Sequence, residues 1–308
     1  MSDCGSPAST EGKIEPMLGE LKELWRYREL LFVMVQRELK IRYKNSALGF
    51  LWSFLNPLVT VLVMTFIYSN FILKDQPNLG AYIMAAYLPF MFFQQSVMDS
   101  AQSVAGALPL IRKIYFPREI LPLAAVFSNF VNFLSALSIF FGYLLVNYLI
   151  HPGSFPIQKT VVLLPILMVI SLALSLGASL IVSALNTFYE DVKYIVSVLL
   201  YLLFFASPIV FSDEAVANSP LNVNSGWLVY KLYNLNPLSY LLTSYKKAIL
   251  APYDFKIPDP NVANQMVNVG SIPLSWKYLT AAGISSLLLV IIGYAIFNKF
   301  KWRFVERP

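Results

Sequence analysis

The chain has 308 residues, of which 57% are hydrophobic and only 13% are charged, and its mean hydropathy is +0.61. A soluble domain is usually about one quarter charged, so this composition argues against a soluble fold and indicates a polytopic membrane protein. The net charge of +6 does not indicate nucleic-acid binding, because the basic residues are not gathered into a soluble basic domain. Cys4 is the only cysteine and His151 the only histidine. The chain therefore has too few of these residues for a disulfide framework or a cysteine- or histidine-based metal site, and it offers little for a catalytic triad.

Two segments precede the first apolar run. Residues 1–16 form a polar tail that we expect to be disordered, and they lack the apolar core of a cleaved signal peptide. In residues 17–50 apolar side chains recur at near-helical spacing, while the basic side chains fall mostly on other faces. This pattern predicts an amphipathic helix in the cytoplasmic interface of the membrane. A cytoplasmic helix packed on protein is the alternative.

Residues 51–308 are predicted to form an all-α permease domain with six transmembrane helices. A helix needs about 20 apolar residues to cross the bilayer. Six segments meet this requirement, at about 51–73, 81–105, 118–149, 161–186, 194–211 and 278–298. We expect kinks at the internal prolines Pro57, Pro89, Pro165 and Pro208. Asp99 is the main ionisable residue inside a span, and both a solvated helix end and a role in proton coupling remain open for it.

The distribution of basic residues predicts the orientation. Lys and Arg are enriched in the N-terminal segment, in residues 106–122 and in the C-terminal tail. The positive-inside rule therefore places both termini in the cytoplasm and the chain in the cytoplasmic (inner) membrane. The long loop 212–277 is then on the outer side. Within it, the apolar spacing predicts a helical hairpin over 226–250, broken at Asn236-Pro237 and re-entrant or interfacial, followed by exposed loop.

A short cytoplasmic connection has the properties of a docking element. In residues 107–118, Pro109 and Pro117 bound a segment of about two helical turns, with apolar side chains on one face and two basic side chains pointing away. We expect it to dock on a soluble partner; an ordinary positively charged loop is the alternative. The candidate docking residues are Leu110, Ile111, Arg112, Lys113, Ile114, Tyr115 and Phe116. Glu190 and Asp191, in the next cytoplasmic connection, could make a second contact or simply cap the following helix.

The sequence offers no catalytic machinery. The nearest approach to a phosphate-binding loop, residues 153–160, lacks the second glycine and falls in an outer loop. We therefore expect no enzymatic activity, no metal and no cofactor bound by this chain. A secondary transporter would need buried ionisable residues, and a membrane-embedded transferase would need clustered carboxylates or histidines. A passive channel is harder to exclude.

Aromatic side chains supply 15% of the chain, and many lie within predicted spans. Rings on one helix face could stack against sugar rings while resisting ions and water. The candidate path residues are Phe54, Phe66, Tyr87, Phe127, Phe130 and Phe133. Most aromatic residues in membrane helices pack against protein or lipid, and that alternative holds for each of these rings.

Four segments together resemble the ABC-2 permeases that export polysaccharides. The segments are QRELKIRYKNSALGFLWSFLNPL (36–58), LIRKIYFPREILPL (110–123), FFASPIVFS (204–212) and LNPLSYLLTSYKKAIL (235–250). They occur in the family's order, and the resemblance extends from about residue 20 to about residue 305. The family comprises the membrane subunits for O-antigen, capsule and teichoic-acid export.

The resemblance implies a homodimer with two separate ATPase subunits, which bind ATP and Mg, and a path for a glycan on a polyprenyl pyrophosphate lipid. It implies that residues 110–116 dock on the ATPase. Four cations before the first span would attract the lipid pyrophosphate, although anionic phospholipid attracts the same charges; they are Arg37, Lys40, Arg42 and Lys44. The chain departs from the family at Glu190-Asp191, where relatives often have Arg-Asp, and at Lys246 or Lys247, where an arginine is common. An ABC-2 permease for a drug or a lipid is the alternative.

Overall fold

The computed structural model describes residues 25–44, 46, 49–72, 78–111, 116–150, 157–252, 255–258 and 266–301. Within these residues the fold is α-helical apart from one short β-hairpin. The helices are α1 (Arg28–Tyr43), α2 (Trp52–Ile67), α3 (Leu79–Gly106), α4 (Leu108–Ile111), α5 (Ile120–Ile150), α6 (Leu164–Phe188), α7 (Val192–Ala206), α8 (Asp213–Ala217), α9 (Pro220–Asn224), α10 (Leu228–Leu235), α11 (Pro237–Ile249) and α12 (Trp276–Lys301). Short 3₁₀ segments cover Gly49–Leu51 and Lys159–Leu163, and a π-helical turn covers Tyr68–Ile72.

Helices α3, α5, α6 and α12 form the centre of the bundle. One large apolar core runs along α3, α5 and α11, and a smaller core lies at the end of the bundle that carries the connections 107–119 and 189–191. We call this end inner, because the charge pattern predicts that it faces the cytoplasm, and the opposite end outer.

Two glycines set the distance between α6 and α12. A Cβ atom on Gly177 would lie 2.6 Å from the backbone carbonyl carbon of Leu289, and one on Gly293 would lie 2.5 Å from the carbonyl oxygen of Gly177. Both distances are too short for a real carbon contact, so any side chain here would push the helices apart. Small residues that allow close backbone approach are typical of helix contacts in membranes.

Three helical segments are long and apolar enough to cross a membrane: Ile120–Ile150, Lys159–Phe188 and Trp276–Lys301. Two shorter apolar helices cover Leu55–Phe71 and Val192–Ala206. Helix α3 has 28 residues, but polar side chains fill its second half. Three of the six predicted spans are therefore confirmed by length and composition, and the number six remains a prediction.

Two of the four predicted proline kinks are wrong, and both errors concern helix ends. Pro165 lies at the start of α6, where its missing N–H costs nothing. The predicted span 194–211 ends as a helix at Ala206, because Pro208 disfavours helical geometry in the residue before it. Pro57 and Pro89 do lie inside α2 and α3, as expected.

Helix α1 packs one face on protein. Met34 and Val35 are buried in the inner core, whereas Phe32, Val33 and Ile41 are exposed. The buried face therefore fits the alternative of a helix packed on protein. Placement of the exposed face in the membrane interface remains a prediction. The tail 1–16 and the first residues of the predicted helix lie outside the described residues.

The outer segment contains the predicted helix pair. Helices α10 and α11 are separated at Asn236, whose side-chain oxygen accepts a hydrogen bond from the N–H of Leu238 at 3.2 Å. Helix α11 is buried on most of its surface, including its polar residues Ser239 and Lys246, and its re-entrant or interfacial placement remains a prediction. The exposed loop predicted after it contains a β-hairpin, Phe255–Pro258 (β1) paired antiparallel with Met266–Val269 (β2). Short strands surrounded by polar and proline residues give little periodic signal.

Candidate functional site

At the inner end, three helices meet in a closed polar triangle. Arg42 at the end of α1 pairs with the carboxylate of Asp99 on α3. Its other terminal nitrogen donates to the side-chain oxygen of Asn129 on α5 at 2.7 Å, and the Asn129 amide donates to Asp99 at 2.8 Å. Asp99, for which the sequence left two roles open, is thus an ion-pair partner that ties α3 to α1 and α5.

A polar cleft opens beside this triangle. Its volume is about 240 Å³, and its lining combines one cation with hydroxyl and amide groups. The lining residues are Arg42, Ser46, Trp52, Ser53, Asn56, Pro57, Gln95 and Asn132. We call this set the inner polar cleft. It supplies many hydrogen-bonding groups, and the charge of Arg42 is balanced by Asp99, so the cleft suits a polar group on a larger molecule.

The inner polar cleft continues into a smaller cavity of about 30 Å³. Ser53, Pro57, Gln95 and Asn132 line both spaces, and the smaller one ends at Phe92 and Phe133. These two rings are stacked, with centroids 5.2 Å apart and 20° between their planes. A continuous lining therefore leads from charged and amide groups to aromatic rings.

The candidate path aromatics occupy three kinds of place. Phe133 ends the cleft, and Phe130 lies against it with centroids 6.2 Å apart. Tyr87 is buried in the bundle against Phe204, and Phe127 packs against the inner core. Phe66 points away from the bundle and is 65% exposed. The side chain of Phe54 lies outside the described residues. The structure thus brings Phe133 to the cleft, with Phe130 packed against it, but not Tyr87, Phe127 or Phe66.

The predicted docking element is described only at its two ends. Helix α4 contains Leu110 and Ile111, and Ile111 packs against the inner core. Phe116 is only 6% exposed and packs in the inner core, so it anchors the connection, and its docking role remains a prediction. Four of the candidate docking residues, Arg112, Lys113, Ile114 and Tyr115, and the side chain of Leu110 lie outside the described residues.

The second candidate contact is open to solvent. Glu190 and Asp191 are exposed between α6 and α7, next to Tyr189, which is 68% exposed. Asp191 occupies the position before α7, but its side chain makes no capping hydrogen bond to the described backbone. Among the four cations of the predicted headgroup site, Arg37, Lys40 and Lys44 are exposed, whereas Arg42 is engaged by Asp99.

At the outer end, sequence reasoning missed a cluster of four ionisable groups. Lys247 Nζ on α11 lies 2.6 Å from the carboxylate of Asp213 and 3.4 Å from that of Glu214, both on α8. The neighbouring Lys246 donates to the carbonyl oxygen of Phe211 at 3.1 Å and lies 3.7 Å from the ring centroid of Tyr82. We call Asp213, Glu214, Lys246 and Lys247 the outer charge cluster. It lines a cavity of about 360 Å³.

Burial shifts the ionisation of this cluster. It raises the pKa of Asp213 to about 6, although Lys247 acts in the opposite direction. Burial also pushes the pKa of Glu214 up, but Lys247, Asp213 and the N–H of Ile272 outweigh it, so the pKa of Glu214 falls below its ordinary value. For Lys246, burial lowers the pKa well below that of a solvated lysine. A signal was available in the sequence: two adjacent acids and two adjacent lysines within a segment of low charge density.

A family model described as ABC-2 type transporter matches residues 29–250. The chain is 34% identical over 260 residues to the O-antigen export system permease protein RfbA of Myxococcus xanthus. The aligned region covers 84% of this chain and 94% of that protein. It is 27% identical over 278 residues to the O-antigen export system permease protein RfbA of Klebsiella pneumoniae, covering 90% and 94%. A second Klebsiella pneumoniae protein of that name is 26% identical over the same shares.

The matched region includes the triangle, the inner polar cleft and the lysines of the outer charge cluster. With three helices apolar and long enough to cross a bilayer, these matches describe a multi-pass membrane protein. The chain belongs to the ABC-2 type transporter family, among the permeases of polysaccharide exporters.

Proposed function

We propose that this chain is the membrane subunit of an exporter for an O-antigen-like polysaccharide carried on a polyprenyl pyrophosphate lipid. The relatives that match nearly the whole chain are O-antigen export permeases, which supports the substrate class. ATP hydrolysis in a separate subunit drives export, and ATP and Mg bind there. Two copies of the chain, each with six spans and with both termini in the cytoplasm, form the path in the inner membrane.

The inner polar cleft is the observation that carries the proposal. A lipid-linked glycan must first be received at the inner end, and the cleft there presents hydroxyl, amide and guanidinium groups to a polar molecule. Its lining then passes to Phe92 and Phe133, two buried rings that stack on each other and against which Phe130 packs. Because Asp99 engages Arg42, the exposed cations Arg37, Lys40 and Lys44 are better placed to attract the pyrophosphate.

Accumulation of substrate tests the function. Deletion of the gene in its native host should trap radiolabelled polyprenyl-linked glycan inside the cell, and re-expression of the chain should clear it. An exporter of a drug or a lipid, the alternative within the family, would leave the labelled glycan distribution unchanged. That result would refute the glycan proposal while leaving the family assignment intact.

Recovery of an ATPase subunit tests the partner. Pull-down of the tagged chain from its native host should recover an ATP-binding subunit with the wild type but not with the double variant Arg112→Glu, Lys113→Glu. Recovery with both proteins would move the docking contact elsewhere, to the exposed Glu190 and Asp191. Failure to recover an ATPase even with wild type would contradict ATP-driven export.

A further inference from the structure

The outer charge cluster joins four parts of the outer segment. Lys247 binds α11 to Asp213 and Glu214 on α8. The carboxylate of Glu214 also accepts the backbone N–H of Ile272 at 2.9 Å, which adds the segment that leads into α12. Lys246 fastens α11 to the carbonyl oxygen of Phe211, in the segment between α7 and α8. Any separation of α8 from α11 must therefore break this cluster.

The cluster is buried deeply enough for protonation to matter. Asp213 is 2% exposed, Glu214 0% and Lys246 3%. One oxygen of each carboxyl group, Oδ1 of Asp213 and Oε2 of Glu214, is buried without a hydrogen-bond partner among the described residues, which adds to the cost of ionising both groups. Two adjacent buried carboxylates facing Lys247 carry more negative charge than that one lysine balances, so a proton on Asp213 relieves the excess.

We propose that the outer charge cluster is a proton-linked clasp, which holds α8 against α11 more firmly when Asp213 takes up a proton from the outer side. The inference rests on the proposed function only in placing the clasp at the exit of the glycan path. Acidity outside the cell would then favour the closed exit, even though protonation weakens the ion pair between Asp213 and Lys247.

The direction follows from linkage between protonation and opening. The pKa of Asp213 is about 6 when the clasp is closed and returns towards its ordinary value of 3.8 when water reaches the carboxyl group. The closed form therefore binds the proton more tightly, and its advantage is lost as the pH rises through 6. These two pKa values of Asp213 make the equilibrium constant for opening about tenfold larger at about pH 7.5 than at about pH 5.

Other groups face Asp213 and bear on the response. They are Glu214 on α8, Lys246 and Lys247 on α11, Tyr230 and Tyr233 on α10, and Tyr240 on α11. Burial raises the pKa of the three tyrosines, so they stay neutral throughout this range. Lys246 acts in the opposite sense, because its lowered pKa makes uptake of a proton favour opening. A comparison that retains Lys246 in both proteins removes its contribution.

Hydrogen–deuterium exchange of the full chain in lipid nanodiscs tests the clasp without any substrate. The readout is the exchange rate of peptide 237–249 in wild type divided by that in Asp213→Asn, measured at matched pH, so that intrinsic exchange chemistry cancels. The ratio should rise about tenfold from about pH 5 to about pH 7.5. The control Glu29→Gln, which removes an exposed carboxylate of α1, should show the wild-type response.

A ratio that does not change with pH would overturn the clasp. If Asp213→Asn does not fold, the wild type alone decides by infrared spectroscopy: a buried carboxylic acid band should titrate near pH 6, and its absence would overturn the proposal. Neither measurement involves glycan export. If the exchange ratio does not change with pH but export is normal, the proposed function stands without the clasp. If the ratio changes with pH but export of the glycan is absent, the clasp stands without the proposed function.

Discussion

The inner triangle and the outer charge cluster each join helices through charged side chains, but they differ in their access to water. The side chains of Arg42 and Asp99 are 29% and 43% exposed, whereas those of Lys247 and Asp213 are 14% and 2% exposed. Exposed ion pairs contribute about 0.2–1 kcal/mol, because water and salt screen them. Breaking a buried pair costs about 3–5 kcal/mol, because a charge is left without a partner. The inner pair can therefore be rearranged cheaply by a substrate, while the outer one fixes structure.

The largest effect on stability is expected for Lys247→Met. The substitution leaves Asp213 and Glu214 buried without their cation, which should lower the free energy of unfolding by about 3–5 kcal/mol. Thermal or denaturant unfolding in detergent measures the loss. The control Lys277→Met removes an exposed lysine near the outer end and should change stability by less than about 0.5 kcal/mol. Equal stability of the two variants would mean that the outer charge cluster is no firmer than a surface pair.

A smaller effect is expected at the inner triangle. A double-mutant cycle with Arg42→Gln and Asp99→Asn should give a coupling free energy of about 0.2–1 kcal/mol, because both side chains are partly exposed. Unfolding of the wild type, both single variants and the double variant supplies the four values. A coupling as large as several kcal/mol would erase the contrast between the two ends.

The smallest effect on stability is expected for the triple variant Arg37→Gln, Lys40→Gln, Lys44→Gln, since all three side chains are exposed. The expected consequence is functional: substrate-stimulated ATPase activity of the assembled transporter should fall severalfold, because the cations no longer attract the lipid pyrophosphate. Lys231→Gln, at an exposed site on α10, is the control and should keep wild-type stimulation. Unchanged stimulation in the triple variant would remove the headgroup role from α1.

The sequence predicts the long helices well, because runs of apolar residues and their helical spacing are local properties. Helix ends were harder: Pro165 begins a helix and Pro208 follows one, and apolar composition does not distinguish these positions from an internal kink. The break at Asn236 was predictable because Asn-Pro is a strong local signal for a helix start.

The polar pairings could not be predicted with the same ease. Arg42 and Asp99 are 57 residues apart, and Asp213 and Lys247 are 34 apart, so nothing in their local sequence indicates the partner. The burial of Lys246 was not predictable either, because a lysine near the end of a helix in an outer loop usually reaches solvent. Such residues become visible only when the packing of α11 against α3, α6 and α12 is known.

Obstruction of the inner polar cleft tests the central claim most directly. Ser53→Trp places a large ring where the cleft meets the smaller cavity, whereas Val59→Trp places the same ring on the exposed face of the same helix, where the side chain is 50% exposed. Both variants should reach the membrane and retain the ATPase subunit in a pull-down. We predict that labelled lipid-linked glycan accumulates inside cells expressing Ser53→Trp but not inside those expressing Val59→Trp. Wild-type export by Ser53→Trp would show that the glycan does not pass through this cleft.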